Sequence, residues 1–159
     1  MLYLFMALFA VLAVVADQVV KFLIVTNVKG GADVPAIKGL FHLTYAENTG
    51  AAFSSFEGMR WLFVAVFVIF TAAVIWEFSK KRWPFTTFER WCIVAVWAGG
   101  VGNMIDRLRL GYVVDMIEVE FIRFPVFNVA DCFITCGSIL LLVHLILFNK
   151  EFWKEEKKK

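Results

Sequence analysis

Charge is scarce in this chain: Asp, Glu, Lys and Arg make up only 19% of its 159 residues, against about 25% in a typical soluble domain. Apolar residues reach 61% and aromatic residues 17%, which exceeds the apolar share of about 45–50% in soluble domains. The net charge is only +2, and no basic stripe with interleaved aromatics occurs, so no nucleic-acid partner is expected. The composition therefore predicts that lipid is the main solvent of a single domain covering residues 1–159.

Motifs for metal or covalent catalysis are also lacking. There is no HExxH and no CxxC pair, so neither zinc hydrolysis nor thiol redox chemistry is predicted. The serines have no convincing histidine partner. The three cysteines, Cys92, Cys132 and Cys136, lie in apolar runs and are predicted to be small buried side chains. We expect a protein without a metal ion or an organic cofactor.

Four apolar segments are predicted to span a membrane, which takes about 20 residues each. They cover residues 2–25, 59–78, 88–105 and 126–148, and a charged tail follows at 149–159. The third is the weakest, since its apolar core runs only from 91 to 102. The predicted fold class is a membrane all-α protein with four transmembrane helices.

The basic residues predict the orientation of these spans. They are dense between the second and third spans and in the tail, two segments that the positive-inside rule places in the cytoplasm. Both termini are then cytoplasmic, and the connections at about 26–58 and 106–125 face outward. Residues 39–46 alternate bulky and polar side chains, and residues 111–127 are rich in Val, Ile, Phe and Tyr. These patterns predict a small extracytoplasmic β element.

Polar side chains inside the spans need a reason, because a central Asp, Lys or Arg costs about 2.5–3.5 kcal/mol on insertion scales. With the predicted orientation, nearly all of them fall at one level near the outer face: Asp17, Lys21, Asn103, Asn128 and Asp131. Asp106 and Arg107 follow at the outer end of the third span, and Asn48 and Asp115 lie in the outer connections at the same level. Asp17 and Lys21 are four residues apart, so they can pair along one helix face. A polar cluster at one depth is what a membrane active site requires. Two close carboxylates in a dry site share a proton and can hydrolyse an amide without a covalent intermediate.

The motifs that carry these residues resemble the lipoprotein signal peptidase family, the bacterial type II signal peptidases. The resemblance covers nearly the whole chain. It rests on four segments in order: Asp17-Gln18-Val19-Val20-Lys21, Asn48-Thr49-Gly50-Ala51-Ala52-Phe53, Gly102-Asn103-Met104-Ile105-Asp106-Arg107 with Gly111-Tyr112-Val113-Val114-Asp115, and Phe127-Asn128-Val129-Ala130-Asp131. The chain departs from the family pattern at Met116 and Cys132, where Phe and Ser are usual; neither change removes a proton-transfer group.

The resemblance implies a function and a set of site residues. Asp115 and Asp131 would be the catalytic pair. The substrate-binding or supporting positions would be Asn48, Gly50, Asn103, Arg107, Asn128, Asp17 and Lys21. The implied activity is an aspartic endopeptidase that removes the signal peptide of a prolipoprotein just before a cysteine carrying diacylglycerol. The implied enzyme is a monomer that contacts membrane lipid in the bacterial inner membrane, with its site near the extracytoplasmic face.

Two other functions stay open at the level of the sequence. A proton or cation transporter would use buried Asp and Lys as a relay, but a relay would string ionisable groups through the bilayer depth. The inner halves of the spans are expected to hold almost none, with His144 the only candidate. A non-catalytic assembly factor is the second alternative. The Gly-, Ala-, Phe- and Ser-rich stretch within 45–60 predicts a lid over the site.

Overall fold

A computed structural model describes residues 1–50 and 56–156. In chain order these residues form α1 (Leu2–Asn27), β1 (Val34–Ile37), β2 (Phe41–Asn48), α2 (Arg60–Lys80), α3 (Thr87–Arg109), β3 (Val113–Val119), α4 (Val129–Leu147) and α5 (Lys150–Glu156). The lid predicted within 45–60 and the end of the second motif fall partly on residues 51–55, which lie outside the described residues. The lid therefore stays a prediction.

Three of the helices in the described part of the chain, α1, α2 and α4, are long and apolar enough to cross a membrane. With the small antiparallel sheet, they give the protein a membrane-type fold. The predicted third span, 88–105, lies within α3, which is 23 residues long but does not meet the same hydropathy criterion. The count of four spans therefore stays a prediction.

Helix α3 is the central helix, and its composition follows from that position. It packs against α1, α2 and α4. Glycines allow the close approach: a Cβ on Gly99 would collide with the Ala130 carbonyl, and one on Gly102 would lie 2.5 Å from Asp17 Oδ2. Because α3 is mostly enclosed by protein, its polar side chains face neighbouring helices. Its low hydropathy follows from these polar residues.

The sheet has the order β1–β2–β3 and is antiparallel throughout. Strands β2 and β3 lie within the two segments predicted to be extended, apart from the last residues of β2. The short β1 is a third strand that the pattern does not reveal. Val114 and Met116 of β3 pack with Ile24 and Val28 at the end of α1. This apolar contact fixes the sheet on one end of the helices, called here the sheet end.

Part of the charged tail predicted at 149–159 forms a short helix. Residues Lys150–Glu156 form α5, while residues 157–159 lie outside the described part. The Asn149 side chain accepts a hydrogen bond from the Phe152 backbone N–H at 3.1 Å, and the Phe152 ring stacks on Phe85 at a centroid distance of 5.8 Å. The aromatic contact anchors a helix that its charged residues alone do not predict.

Candidate active site

Asp131 is held in the first turn of α4 by a capping box. Asn128 is the N-cap: its Oδ1 accepts from the Asp131 backbone N–H at 2.9 Å, and its own N–H donates to Asp131 Oδ2 at 3.1 Å. Such reciprocal bonds satisfy donors that a helix start leaves free. The local sequence Asn-Val-Ala-Asp therefore fixes both the helix boundary and the position of the carboxylate.

Asp115 lies on β3, opposite Ala46 of β2, and only 2% of its surface is exposed. Both of its oxygens accept hydrogen bonds from side-chain amides. Asn48 Nδ2 donates to Oδ2 at 2.8 Å, and Asn128 Nδ2 donates to Oδ1 at 2.6 Å. Asn128 thus contacts both aspartates, and it links β3 to the start of α4.

The orientation of all three asparagine amides follows from partners that can only donate. Asn48 Oδ1 accepts from the Gly50 N–H, Asn128 Oδ1 accepts from the Asp131 N–H, and Asn103 Oδ1 accepts from Lys21 Nζ at 3.0 Å. Each Nδ2 therefore faces a carboxylate, including Asn103 Nδ2, which donates to Asp131 Oδ1 at 2.8 Å. Each carboxylate oxygen keeps an acceptor site for a proton or a water molecule.

A buried cluster of three charged side chains lies next to this network. Lys21 Nζ lies 3.0 Å from Asp17 Oδ2 and 2.9 Å from Asp106 Oδ2, with all three side chains almost fully buried. We call these three residues the lysine cluster. Asp17 Oδ1 accepts from the Ala130 N–H at 2.9 Å, and Asp106 Oδ2 accepts from the Val114 N–H at 3.1 Å. The cluster thereby ties α1, α3, α4 and β3 together, and Asn103 connects it to Asp131.

Two members of this network are not among the site residues that the family resemblance implies. Asp106 lies within a recognised motif, but its ion pair with Lys21 depends on the packing of α1 against α3. Gln18 donates to Asp106 Oδ1 at 3.0 Å and to the Gly102 carbonyl at 3.2 Å. Gln18 also lies within a recognised motif, and a glutamine inside an apolar span is the sequence signal that could have found it.

Arg107 is buried, with only 7% of its surface exposed. Its Nη2 donates to the Gly50 carbonyl at 2.7 Å, and its guanidinium lies 4.4 Å from the centre of the Phe63 ring. The planar guanidinium suits this combination of a directed hydrogen bond and ring stacking. Arg107 therefore joins the residues just after β2, α2 and α3 at one point next to the aspartates.

Asp115, Asp131, Asn48, Asn103 and Arg107 all line one cavity of about 760 Å³, called here the helix cleft. The other walls are largely apolar and come from α2, α3, α4 and the connection before α4: Phe63, Val66, Phe67, Phe70, Val96, Ile134, Phe124 and Val126 among them. Helices α2 and α4 both pack on α3, and they make no extensive contact with each other. The cleft therefore lies between α2 and α4, with the carboxylates at the sheet end.

The prediction that all three cysteines are buried is wrong for two of them. Cys92 is buried, but Cys132 and Cys136 are exposed and line the helix cleft. The error has a physical reason: in a membrane protein an apolar residue can face a cleft or lipid as readily as the core, so an apolar run does not indicate burial.

Burial dominates the electrostatics of Asp115. Removal from water raises the pKa of this carboxyl to about 6, and the negative charge of Asp131 adds to the rise. The hydrogen bonds from Asn48 and Asn128 oppose it, because they stabilise the charged form. A carboxyl with this pKa can hold a proton close to neutral pH and donate it in a reaction.

A second polar cluster lies at the opposite end of the helices, contrary to the expectation that His144 is the only ionisable group there. Glu89 is fully buried: it accepts from the Thr86 N–H and from Asn149 at 2.7 Å each, and one oxygen lies 2.9 Å from His144 Nδ1. Glu77 is also buried, 3.7 Å from Arg90. The stretches 2–16, 61–76, 91–105 and 132–143 between the two ends contain no Asp, Glu, Lys, Arg or His, so no relay connects the clusters.

Within residues 1–50 and 56–156, no group of three His, Cys, Asp or Glu side chains could hold a metal ion. The prediction of a site without a metal ion or cofactor stays a prediction. The two carboxylates with their amide donors are the groups that the site offers for acid–base chemistry.

Two carboxylates that line one cleft of a membrane-type helical fold and share Asn128 as a hydrogen-bond partner suit an acid–base hydrolase that works at a membrane. Comparison with known proteins identifies the family. Residues 9–147 match the family model of signal peptidase (SPase) II. The chain belongs to the signal peptidase II family, and it is an enzyme of the aspartic-peptidase class.

Individual relatives agree with this assignment. A lipoprotein signal peptidase of Streptococcus pyogenes serotype M6 is 40% identical over 146 residues, which are 92% of this chain and 91% of the relative. That of serotype M3 is 39% identical over the same length. Two solved structures described as bacterial membrane enzymes, obtained by the in meso method, superpose with TM-scores of 0.84 and 0.80 at 33% and 34% identity. The first superposition covers 92% of this chain and 90% of the solved chain. The second covers 91% of this chain and 94% of the solved chain.

Proposed function

We propose that the protein removes signal peptides from prolipoproteins, with Asp115 and Asp131 as its catalytic pair. The observation that carries this proposal is geometric: both carboxylates line one helix cleft whose remaining walls are largely apolar. An apolar signal helix would bury its side chains against α2 and α4, and its end would meet the aspartates. The family membership supports a peptidase and gives no support to the transporter alternative, which also lacks a relay through the helices.

The chemistry needs one protonated and one ionised carboxyl. The raised pKa of Asp115 makes it the member that holds the proton and polarises the scissile carbonyl. Asp131 takes a proton from the attacking water, and the water oxygen bonds to the carbonyl carbon. The tetrahedral intermediate then collapses as a proton passes to the leaving nitrogen, which breaks the peptide bond. The asparagines hold both carboxylates in place throughout, so little reorganisation accompanies the transfer.

The remaining site residues act by position. Asn48, Asn103 and Asn128 orient the aspartates, Arg107 and Gly50 fix the wall of the cleft, and Asp17 and Lys21 support α1 and α4 from below. The substrate would carry diacylglycerol on the cysteine after the cleaved bond. An opening between α2 and α4 would leave these acyl chains in lipid while the peptide reaches the aspartates.

The same proposal includes the membrane arrangement. The enzyme would be a single domain and a monomer with four spans in the bacterial inner membrane, α3 being shielded by α1, α2 and α4. The basic residues around 80–90 and 150–159 support cytoplasmic termini and an extracytoplasmic site. Labelling of single cysteines at Lys38 and Lys150 by an impermeant thiol reagent in intact cells would test this: reaction at 150 but not at 38 would contradict the orientation.

A gel-shift cleavage assay tests the function itself. The purified enzyme would be mixed with one prolipoprotein in two forms, with and without prior diacylglyceryl modification. Cleavage of the modified form just before its cysteine, with the unmodified form cleaved at least about 100-fold more slowly, is the expected result. Absence of cleavage of either form by the folded enzyme would contradict the proposal.

The role of Asp115 as the proton donor predicts the pH dependence. Protonated Asp115 is lost as pH rises through about 6, so kcat/KM is expected to fall on the alkaline side. Asn48 stabilises the charged form of Asp115, so Asn48→Ala should raise this pKa and move the alkaline limb upward by about one pH unit. The measurement is kcat/KM between pH 4.5 and 9. If the alkaline limb of the kcat/KM profile falls at the same pH in the variant as in the wild type, Asp115 is not the titrating donor.

A further inference from the structure

A second concave surface lies on the sheet, outside the helix cleft. It is a groove of about 870 Å³ between β2, β3 and the connection 120–126, called here the sheet groove. Its walls mix polar and apolar groups, with Glu47 of β2, Glu118 of β3, and Glu120 and Arg123 of the connection among them. The mechanism described above makes no use of this surface.

The sheet groove and the helix cleft meet at the reactive carboxylate. Both cavities are lined by Asn48, Asp115, Phe124, Pro125 and Val126. A peptide that lies across Asp115 can therefore continue from one cavity into the other without leaving the protein surface. The two cavities differ in character, since the cleft is largely apolar and the groove carries charged side chains.

Charge in the sheet groove is mostly negative. Its lining includes four glutamates: Glu47, Glu57, Glu118 and Glu120. Arg123 is the one Lys or Arg among its described lining residues. Hydrogen bonds from Tyr45 and Lys29 hold the pKa of Glu47 below its ordinary value, so Glu47 is ionised at neutral pH.

Two groups besides Arg123 can offset this charge: Lys29, whose Nζ lies 3.1 Å from Glu47, and His42, which also lines the sheet groove. Its Nε2 lies 3.1 Å from Glu118 and 3.6 Å from Asp33, and its Nδ1 lies 3.6 Å from Glu120. Even a protonated His42 would leave an excess of carboxylates. A groove of this kind attracts cationic segments and repels anionic ones.

We propose that the sheet groove receives the segment of the prolipoprotein that follows the cleaved bond, and that its carboxylates select basic or neutral residues over acidic ones in that segment. This inference rests on the proposed function. The apolar signal helix fits the helix cleft, so the chain beyond the scissile bond has to leave past Asp115 on the other side. An extended chain advances about 3.3 Å per residue, so the first few residues after the cysteine would lie between Asp115 and Arg123.

Three lipidated substrates that differ only at the second and third positions after the cysteine test the selection. They carry Lys-Lys, Ser-Ser or Glu-Glu there. At low salt, kcat/KM for Lys-Lys should exceed that for Glu-Glu by about three- to tenfold, because partly exposed charge pairs act weakly. In 0.5 M salt the ratio should fall below about twofold. Cleavage of all three substrates at equal rates would overturn the proposed role of the sheet groove, while the proposed function of the enzyme would remain.

Variants locate the effect. Glu118→Gln should lower the Lys-Lys to Glu-Glu ratio by about twofold and Glu118→Lys further, while the Ser-Ser substrate is still cleaved and reports that the enzyme is folded. Glu151→Gln removes the same charge from α5 at the opposite end and should leave the ratio unchanged. A ratio insensitive to Glu118, or one equally sensitive to Glu151, would overturn the proposal.

Crosslinking gives a readout independent of rate. A photoreactive residue placed three positions after the cysteine should crosslink to the segment 118–124, and one placed three positions before it should crosslink to helices α2 or α4. The reverse pattern would mean that the signal peptide occupies the sheet groove, and it would overturn the inference. Failure to cleave any substrate would overturn the proposed function and this inference together.

Discussion

Replacing Asp131 or Asp115 with Asn is expected to lower kcat/KM for a lipidated prolipoprotein by at least about 10³-fold. Asparagine has nearly the same shape but can neither take a proton from water nor give one to the substrate. Because the two carboxyls act as a unit, the double variant should lose little more than either single variant. The measurement is the gel-shift cleavage assay under single-turnover conditions, with the unfolding transition of each variant recorded in the same detergent.

The matched control is Asp33→Asn, which makes the same chemical change at an exposed carboxylate that lines neither cavity. It should change kcat/KM for the Ser-Ser substrate by less than about twofold. If the Asp131 variant retained more than a tenth of the wild-type rate while Asp33→Asn behaved as expected, Asp131 would not be the base. The helix cap itself survives in Asp131→Asn, since a side-chain carbonyl can still accept from the Asn128 N–H.

Lys21→Met is expected to destabilise the protein by about 3–5 kcal/mol, the usual cost of leaving buried charges without their partner. Lys21 lies 3.0 Å and 2.9 Å from Asp17 and Asp106, so its loss leaves two carboxylates buried near each other. The measurement is the free energy of unfolding in mixed micelles with increasing denaturing detergent. Activity should fall as well, because Lys21 also donates to Asn103, which in turn holds Asp131.

Lys29→Met provides the comparison, because Lys29 makes a similar contact at the surface. Its Nζ lies 3.1 Å from Glu47, with both side chains 45% exposed, so the loss of stability should be small beside that of Lys21→Met. Adding Asp106→Asn to Lys21→Met should recover part of the stability by removing one unpaired charge. Equal effects of Lys21→Met and Lys29→Met would show that the lysine cluster is hydrated and does not hold the helices together.

The predicted helices and strands follow from patterns that act locally. Long apolar runs predict α1, α2 and α4, because only a helix satisfies its own backbone in lipid. The boundary of α4 can be predicted within a few residues, since Asn128 and Asp131 have the spacing of a capping box. In contrast, α5 and the short β1 depend on contacts with distant residues, such as Phe152 with Phe85, which no local pattern contains.

By itself the sequence determined the class of this protein: a membrane-type fold with polar residues gathered in four motifs, whose order is that of the signal peptidase II family. It could do so because a buried polar group is costly in lipid and is present only for a reason. Only the tertiary structure decided which groups meet. The partners of Lys21, the exposure of Cys132 and the junction of two cavities at Asp115 all depend on how α1, α3, α4 and β3 pack, which is a property of distances between residues far apart in the chain.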